Sequence, residues 1–182
     1  MNLTTSRTIS LRNLVLSAMM LALAYVLPFF TGNIPQIGSM LLPMHLPVLL
    51  CGFLCGGPWG AVVGLIAPLM RSAILGMPPP FPTAVAMAFE LATYGFLSGF
   101  LFSKLPKKNL TGIYASLLSA MVGGRLVWGA VTALLLAFGT SPFTLQAFWV
   151  GAVTSAIPGI ILQLVAIPAI LLSLQKSNLI TL

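Results

Sequence analysis

Residues 71–90 read Arg71-Ser-Ala-Ile-Leu-Gly-Met-Pro-Pro-Pro-Phe-Pro-Thr-Ala-Val-Ala-Met-Ala-Phe-Glu90. Two apolar segments meet here at a proline-rich turn over 76–82, and each carries one ionisable residue inside its hydrophobic length. Arg71 precedes the turn; Glu90, the only acid in the chain, follows it. A charge in hydrocarbon costs about 2.5–3.5 kcal/mol on the lower scales, so a membrane helix keeps one only where it faces a partner or a wet cavity. The turn makes the two helices antiparallel neighbours and brings Arg71 and Glu90 to similar depth. They read either as an ion pair that fastens two helices or as part of a ligand site. The rest of the chain reads as a wall around them.

Composition supports a membrane setting. Of 182 residues, 59% are hydrophobic and 5% charged, against roughly 25% charged in soluble domains. Mean hydropathy is +1.10. The expected class is an all-α integral membrane protein, one domain over residues 1–182. The net charge of +7 does not imply nucleic acid, because the basic residues are scattered where such binding needs a clustered face. Cys51 and Cys55 lie four apart in an apolar segment. That is not the CxxC spacing of metal or redox sites, and they read as small hydrophobes. Arg7 and Arg12 before an apolar run resemble a signal peptide, but Pro28-Phe29-Phe30 follows in place of a small-residue cleavage site. The run is taken as the first span.

At about 20 apolar residues per span, six candidates emerge, at about residues 11–30, 42–55, 59–75, 83–105, 111–138 and 145–174. Pro68 marks a kink in the third. Gly123-Gly124 and Pro158-Gly159 are candidate breaks in the two long final helices. Six spans put Arg7, Arg12, Lys104, Lys107, Lys108 and Lys176 on one side and no Lys or Arg in the loops on the other. By the positive-inside rule, both termini are then cytoplasmic.

The interior polar residues collect toward the outer side. Counting from the helix ends, Arg71 and Glu90 sit roughly 6–12 Å below the outer face. Arg125 lies deeper, His45 begins the second helix, and Gln146 and Trp149 begin the sixth. Asn33 and Gln36 lie in the first outer loop. A pocket open outward and shut inward fits this asymmetry; a pore would need polar lining at all depths. His45 also reads as an interfacial residue, and Arg125 either caps a broken helix or meets a ligand. Tyr94 and Trp128 follow Glu90 and Arg125 by one turn on the same helix faces. An aromatic ring, a cation and an acid suit a small flat heteroaromatic with exocyclic polar groups, although Trp and Tyr near span ends are also ordinary belt residues. Catalysis has little to work with, since a second acid, HExxH, GxSxG with a His partner and a phosphate-cradling loop are all missing from the sequence.

Ala18 and Ala22 on the first helix, and Gly60 and Gly64 on the third, are small residues four apart. Such faces let another helix approach closely, either within the bundle or on a partner protein.

With these residues in place, the chain resembles the S components of energy-coupling factor (ECF) vitamin transporters. The resemblance spans nearly the whole chain. It rests on the small-residue first helix, Ser39-Met-Leu-Leu-Pro-Met-His-Leu-Pro-Val-Leu-Leu-Cys-Gly-Phe, Pro68-Leu-Met-Arg71, Gly76-Met-Pro-Pro and Ala88-Phe-Glu90-Leu-Ala-Thr-Tyr94-Gly. It implies a substrate-binding subunit in a bacterial plasma membrane, working with a transmembrane coupling protein and two cytoplasmic ATPase subunits. This chain itself would be no enzyme and would bind no cofactor, metal or ATP. Ala18, Ala22, Gly60 and Gly64 would meet the coupling protein. Outer loops carrying Asn33, Gln36, Met77 and Phe81 would gate a pocket lined by His45, Arg71, Glu90, Tyr94, Arg125, Trp128, Gln146 and Trp149. The resemblance points to hydroxymethylpyrimidine or a pyridoxine-like ring, with pantothenate as the rival. A structural or assembly protein without a ligand is the alternative of another class.

Overall fold

A computed structural model describes residues 3–31, 40–105, 109–137 and 156–177. Helix α1 (Leu3–Val26) runs into a 3-10 turn at Leu27–Thr31. It begins before the apolar stretch, because apolarity marks where a helix can enter hydrocarbon, not where its backbone hydrogen bonds start. Helix α2 spans His45–Cys55, about 16 Å at 1.5 Å per residue. It starts three residues later than expected because Leu42 adopts a left-handed φ of 50° that turns the chain. The His45 N–H closes that turn onto the Leu42 carbonyl at 3.0 Å.

One residue, Gly56 at φ 95°, separates α2 from α3 (Gly57–Leu75). Helix α3 ends at Gly76, whose φ of 69° is left-handed and whose N–H caps the Ser72 carbonyl. The proline-rich turn follows, with a single wide turn at Pro80–Ala84, and α4 covers Val85–Lys104. Helix α5 runs Leu110–Ala137, its first turn capped by the Asn109 side chain accepting from the Gly112 N–H at 3.0 Å. Helix α6 is Ile157–Lys176. The sequence-based start of that last helix, near 145, lies outside the described residues.

All of these helices except α2 are long and apolar enough to cross a membrane. Their outward faces carry Leu14, Met19, Val62, Ile74, Val122, Leu126 and Val165, each at least half exposed. In water so large an apolar surface would be a liability; in lipid it is the solvated face.

Helix α4 is central and packs on α2, α3 and α5. Its contact with α3 is nearly backbone on backbone: a Cβ on Gly60 would lie 2.5 Å from the Gly95 carbonyl oxygen. Gly64 is pressed likewise onto the Leu91 backbone, and Gly99 onto Gly52 and Gly57. Ser98 in this seam donates to the Leu49 carbonyl of α2 at 3.4 Å and to Gly95 at 3.2 Å. One apolar cluster joins Leu49, Tyr94, Leu117 and Ile167 across α2, α4, α5 and α6. A second joins Ala24, Val48, Val63 and Leu91 across α1 to α4.

One expectation is corrected here. Helix α5 passes through Gly123-Gly124 without a break. These glycines serve close approach, since a Cβ on Gly124 would come within 2.9 Å of the Tyr94 ring. Pro158, in the other candidate break, falls in the first turn of α6, where its missing N–H costs nothing; residues 138–155 before it lie outside the described residues.

Candidate functional site

Helical phase decides which side chains meet. On α4, Leu91, Gly95 and Gly99 repeat every four residues and face α3. Glu90 and Tyr94 stand about 100° further round, toward α2 and α5. Glu90 is therefore turned away from Arg71, and the expected Arg71–Glu90 pair does not form. Equal depth did not mean a shared face. Arg71 is tied to α1 instead: Nη1 donates to the Tyr25 carbonyl at 3.1 Å, and the guanidinium lies 5.4 Å from the centre of the Phe29 ring. Tyr25 is in the last turn of α1, where carbonyls lack helical partners.

Glu90 meets residues from two other helices. Its Oε1 lies 3.0 Å from Arg125 Nη1 on α5 and 3.5 Å from His45 Nε2 at the start of α2. Glu90 is 2% exposed and His45 1%. Tyr94, one turn along α4, sets its ring edge-on to His45, with centroids 5.1 Å apart and planes at 74°. Gly124, beside Arg125, makes room for that ring on the other side. Three helices thus converge on one acid, two basic side chains and one tyrosine ring.

The cluster is rich in unused hydrogen-bonding capacity. Both ring nitrogens of His45, and Nε and Nη2 of Arg125, make no hydrogen bond among the described residues. Thr132, two turns along α5 from Arg125, has its buried hydroxyl in the same condition. Trp128 stands between them on α5, partly buried. Buried polar groups are normally satisfied, so such a concentration sets this cluster apart from the rest of the core.

Sequence reasoning missed Gln163. It is 1% exposed on α6, and neither amide atom finds a hydrogen-bond partner among the described residues. The available signal was a lone amide within the apolar run Ile160-Ile-Leu-Gln163-Leu-Val-Ala.

Met77 and Phe81 occupy the turn between α3 and α4, 43% and 62% exposed. Asn33, Gln36, Gln146 and Trp149 lie outside the described residues. Ala18 and Ala22 are exposed on α1, in a stripe with Leu14, Val15, Met19 and Leu23. Gly60 and Gly64, by contrast, are buried in the α3–α4 seam. They serve internal packing and not a partner-facing surface.

Long apolar helices around a largely buried acid–base cluster define a multi-pass helical membrane protein with polar groups in its interior. The family model described as ECF transporter, substrate-specific component, matches residues 12–171, and the chain belongs to that family. No curated protein and no solved structure matches the chain. Family membership makes it a vitamin-type substrate-binding subunit of a transporter.

Proposed function

We propose that this chain captures a small flat heteroaromatic vitamin or vitamin precursor, hydroxymethylpyrimidine or a pyridoxine-like ring, from outside a bacterial plasma membrane. The observation that carries the reading is the Glu90–Arg125–His45 cluster against Tyr94. Its energetics favour a receiving site over a fastener. At 3.0 Å the Glu90–Arg125 attraction is about 5 kcal/mol for an effective dielectric of about 20. Desolvation removes several kcal/mol per ion, so an apolar pair would hold these helices as well. Donors left over on Arg125 and His45 suit the exocyclic groups and ring nitrogens of such a ligand, and Tyr94 and Trp128 offer ring faces and edges. Pantothenate is the rival substrate, since its carboxylate would suit an arginine.

In this reading the chain spans the membrane six times with both termini cytoplasmic. The short α2 is sheltered by its neighbours, and the lysines and arginines follow the positive-inside rule. The loops carrying Asn33, Gln36, Met77 and Phe81 gate the outer opening. The loaded subunit topples on a coupling protein that packs against Ala18 and Ala22. ATP is hydrolysed by two separate cytoplasmic subunits.

Titration of the purified chain with hydroxymethylpyrimidine, pyridoxine and pantothenate, followed by intrinsic Trp fluorescence, tests the proposal. A saturable change with one of the two rings is expected, lost in Glu90→Gln. Silence with all three, or equal response in Glu90→Gln, rejects it.

A further inference from the structure

The site's charge and its one unassigned buried amide specify the ligand more closely. Arg125 is matched by Glu90 at 3.0 Å, so that pair has no net formal charge. It offers no uncompensated cation to an anionic group. The remaining recognition is by hydrogen bonds, and Gln163 is placed to supply one set. One turn before it, Gly159 presses on Met40 and Leu41, where a Cβ would lie 2.7 Å from the Met40 carbonyl oxygen. This is the stretch leading into His45. Ile160 and Leu164 on either side pack on the cluster that contains Tyr94, and Ile167, one turn on, is buried within it. Gln163, one turn past the Gly159 contact and one turn before Ile167, therefore sits on the wall of α6 that faces α2 and α5, the helices that carry His45 and Arg125.

A glutamine amide presents an acceptor and a donor in one plane. Its two-point partner is a donor beside an acceptor, the pattern by which Gln or Asn reads the N6/N7 edge of adenine. We infer that Gln163 is a ligand-reading residue and that the ligand is a neutral amino-azine, whose amino group and neighbouring ring nitrogen pair with this amide. An aminopyrimidine has that edge. Pyridoxine has a ring nitrogen flanked by carbon substituents, and pantothenate carries a charge. The inference rests on the capture function proposed above.

The test uses the full chain in detergent as wild type, Gln163→Leu and Gln163→Met. Melting is measured without added ligand, and affinity for 4-amino-5-hydroxymethyl-2-methylpyrimidine, pyridoxine and pantothenate by titration. An amide with no hydrogen-bond partner among the described residues adds no net bond to stability, so the ligand-free variants should melt at or above wild type. Their affinity for the aminopyrimidine should fall about tenfold or more, the equivalent of one or two lost hydrogen bonds. A lower melting temperature in both variants, or unchanged affinity, overturns the role of Gln163. Wild type binding pyridoxine or pantothenate in preference overturns the neutral amino-azine while leaving capture intact. Binding of none of the three overturns the proposed function itself, and with it the ligand-reading role, whichever way the variants melt.

Discussion

Neutralising Glu90 separates a ligand site from a structural fastener. Its carboxylate is 2% exposed and lies 3.0 Å from Arg125, so Glu90→Gln leaves a guanidinium buried without its counter-charge. Breaking a buried pair from one side costs about 3–5 kcal/mol, which for a chain of this size lowers the melting temperature by roughly 10 °C. Arg125→Gln should cost a similar amount. The double variant removes both charges together and should be more stable than either single, with a coupling of at least about 2 kcal/mol in the double-mutant cycle. The assay is thermal unfolding of the four proteins in one detergent, with a ligand titration on each. Stability should return in the double variant while binding stays lost, because the ligand has forfeited its charged partners. Additive stability losses would refute the pairing. A double variant that binds like wild type would refute the site.

Three further outcomes follow from the packing. Gly95→Ala places a methyl against the Gly60 backbone, which cannot swing away; unfolding should show a loss of about 1–3 kcal/mol, and a neutral result would contradict the seam. Arg71→Met removes the bond to the Tyr25 carbonyl and should destabilise the chain by about 1.5–3 kcal/mol, seen as a lower melting temperature; an unchanged one would mean α1 is held without it. Ala18→Trp and Ala22→Trp alter exposed positions and should leave ligand affinity and melting unchanged while abolishing co-purification with the coupling protein. An intact complex would place docking elsewhere.

Composition and hydropathy by themselves determined that this chain belongs in lipid, because 5% charged residues cannot build a wetted surface. They also marked the helices, since apolar runs interrupted by Gly and Pro leave little choice of element. The interest of Glu90, His45 and Arg125 was legible too, as ionisable groups in hydrocarbon stand out individually. Which of them touch was decided only by tertiary packing. The glycine seam sets the rotation of α4 against α3, and that rotation turns Glu90 from Arg71 toward Arg125 and His45. Gln163 stayed hidden for the same reason: an uncharged amide in an apolar helix draws no notice until its neighbours enclose it and give it nothing to bond. Sequence states which groups are costly to bury; the rotation of each helix about its axis, a property of side-chain packing between distant segments, states what they face.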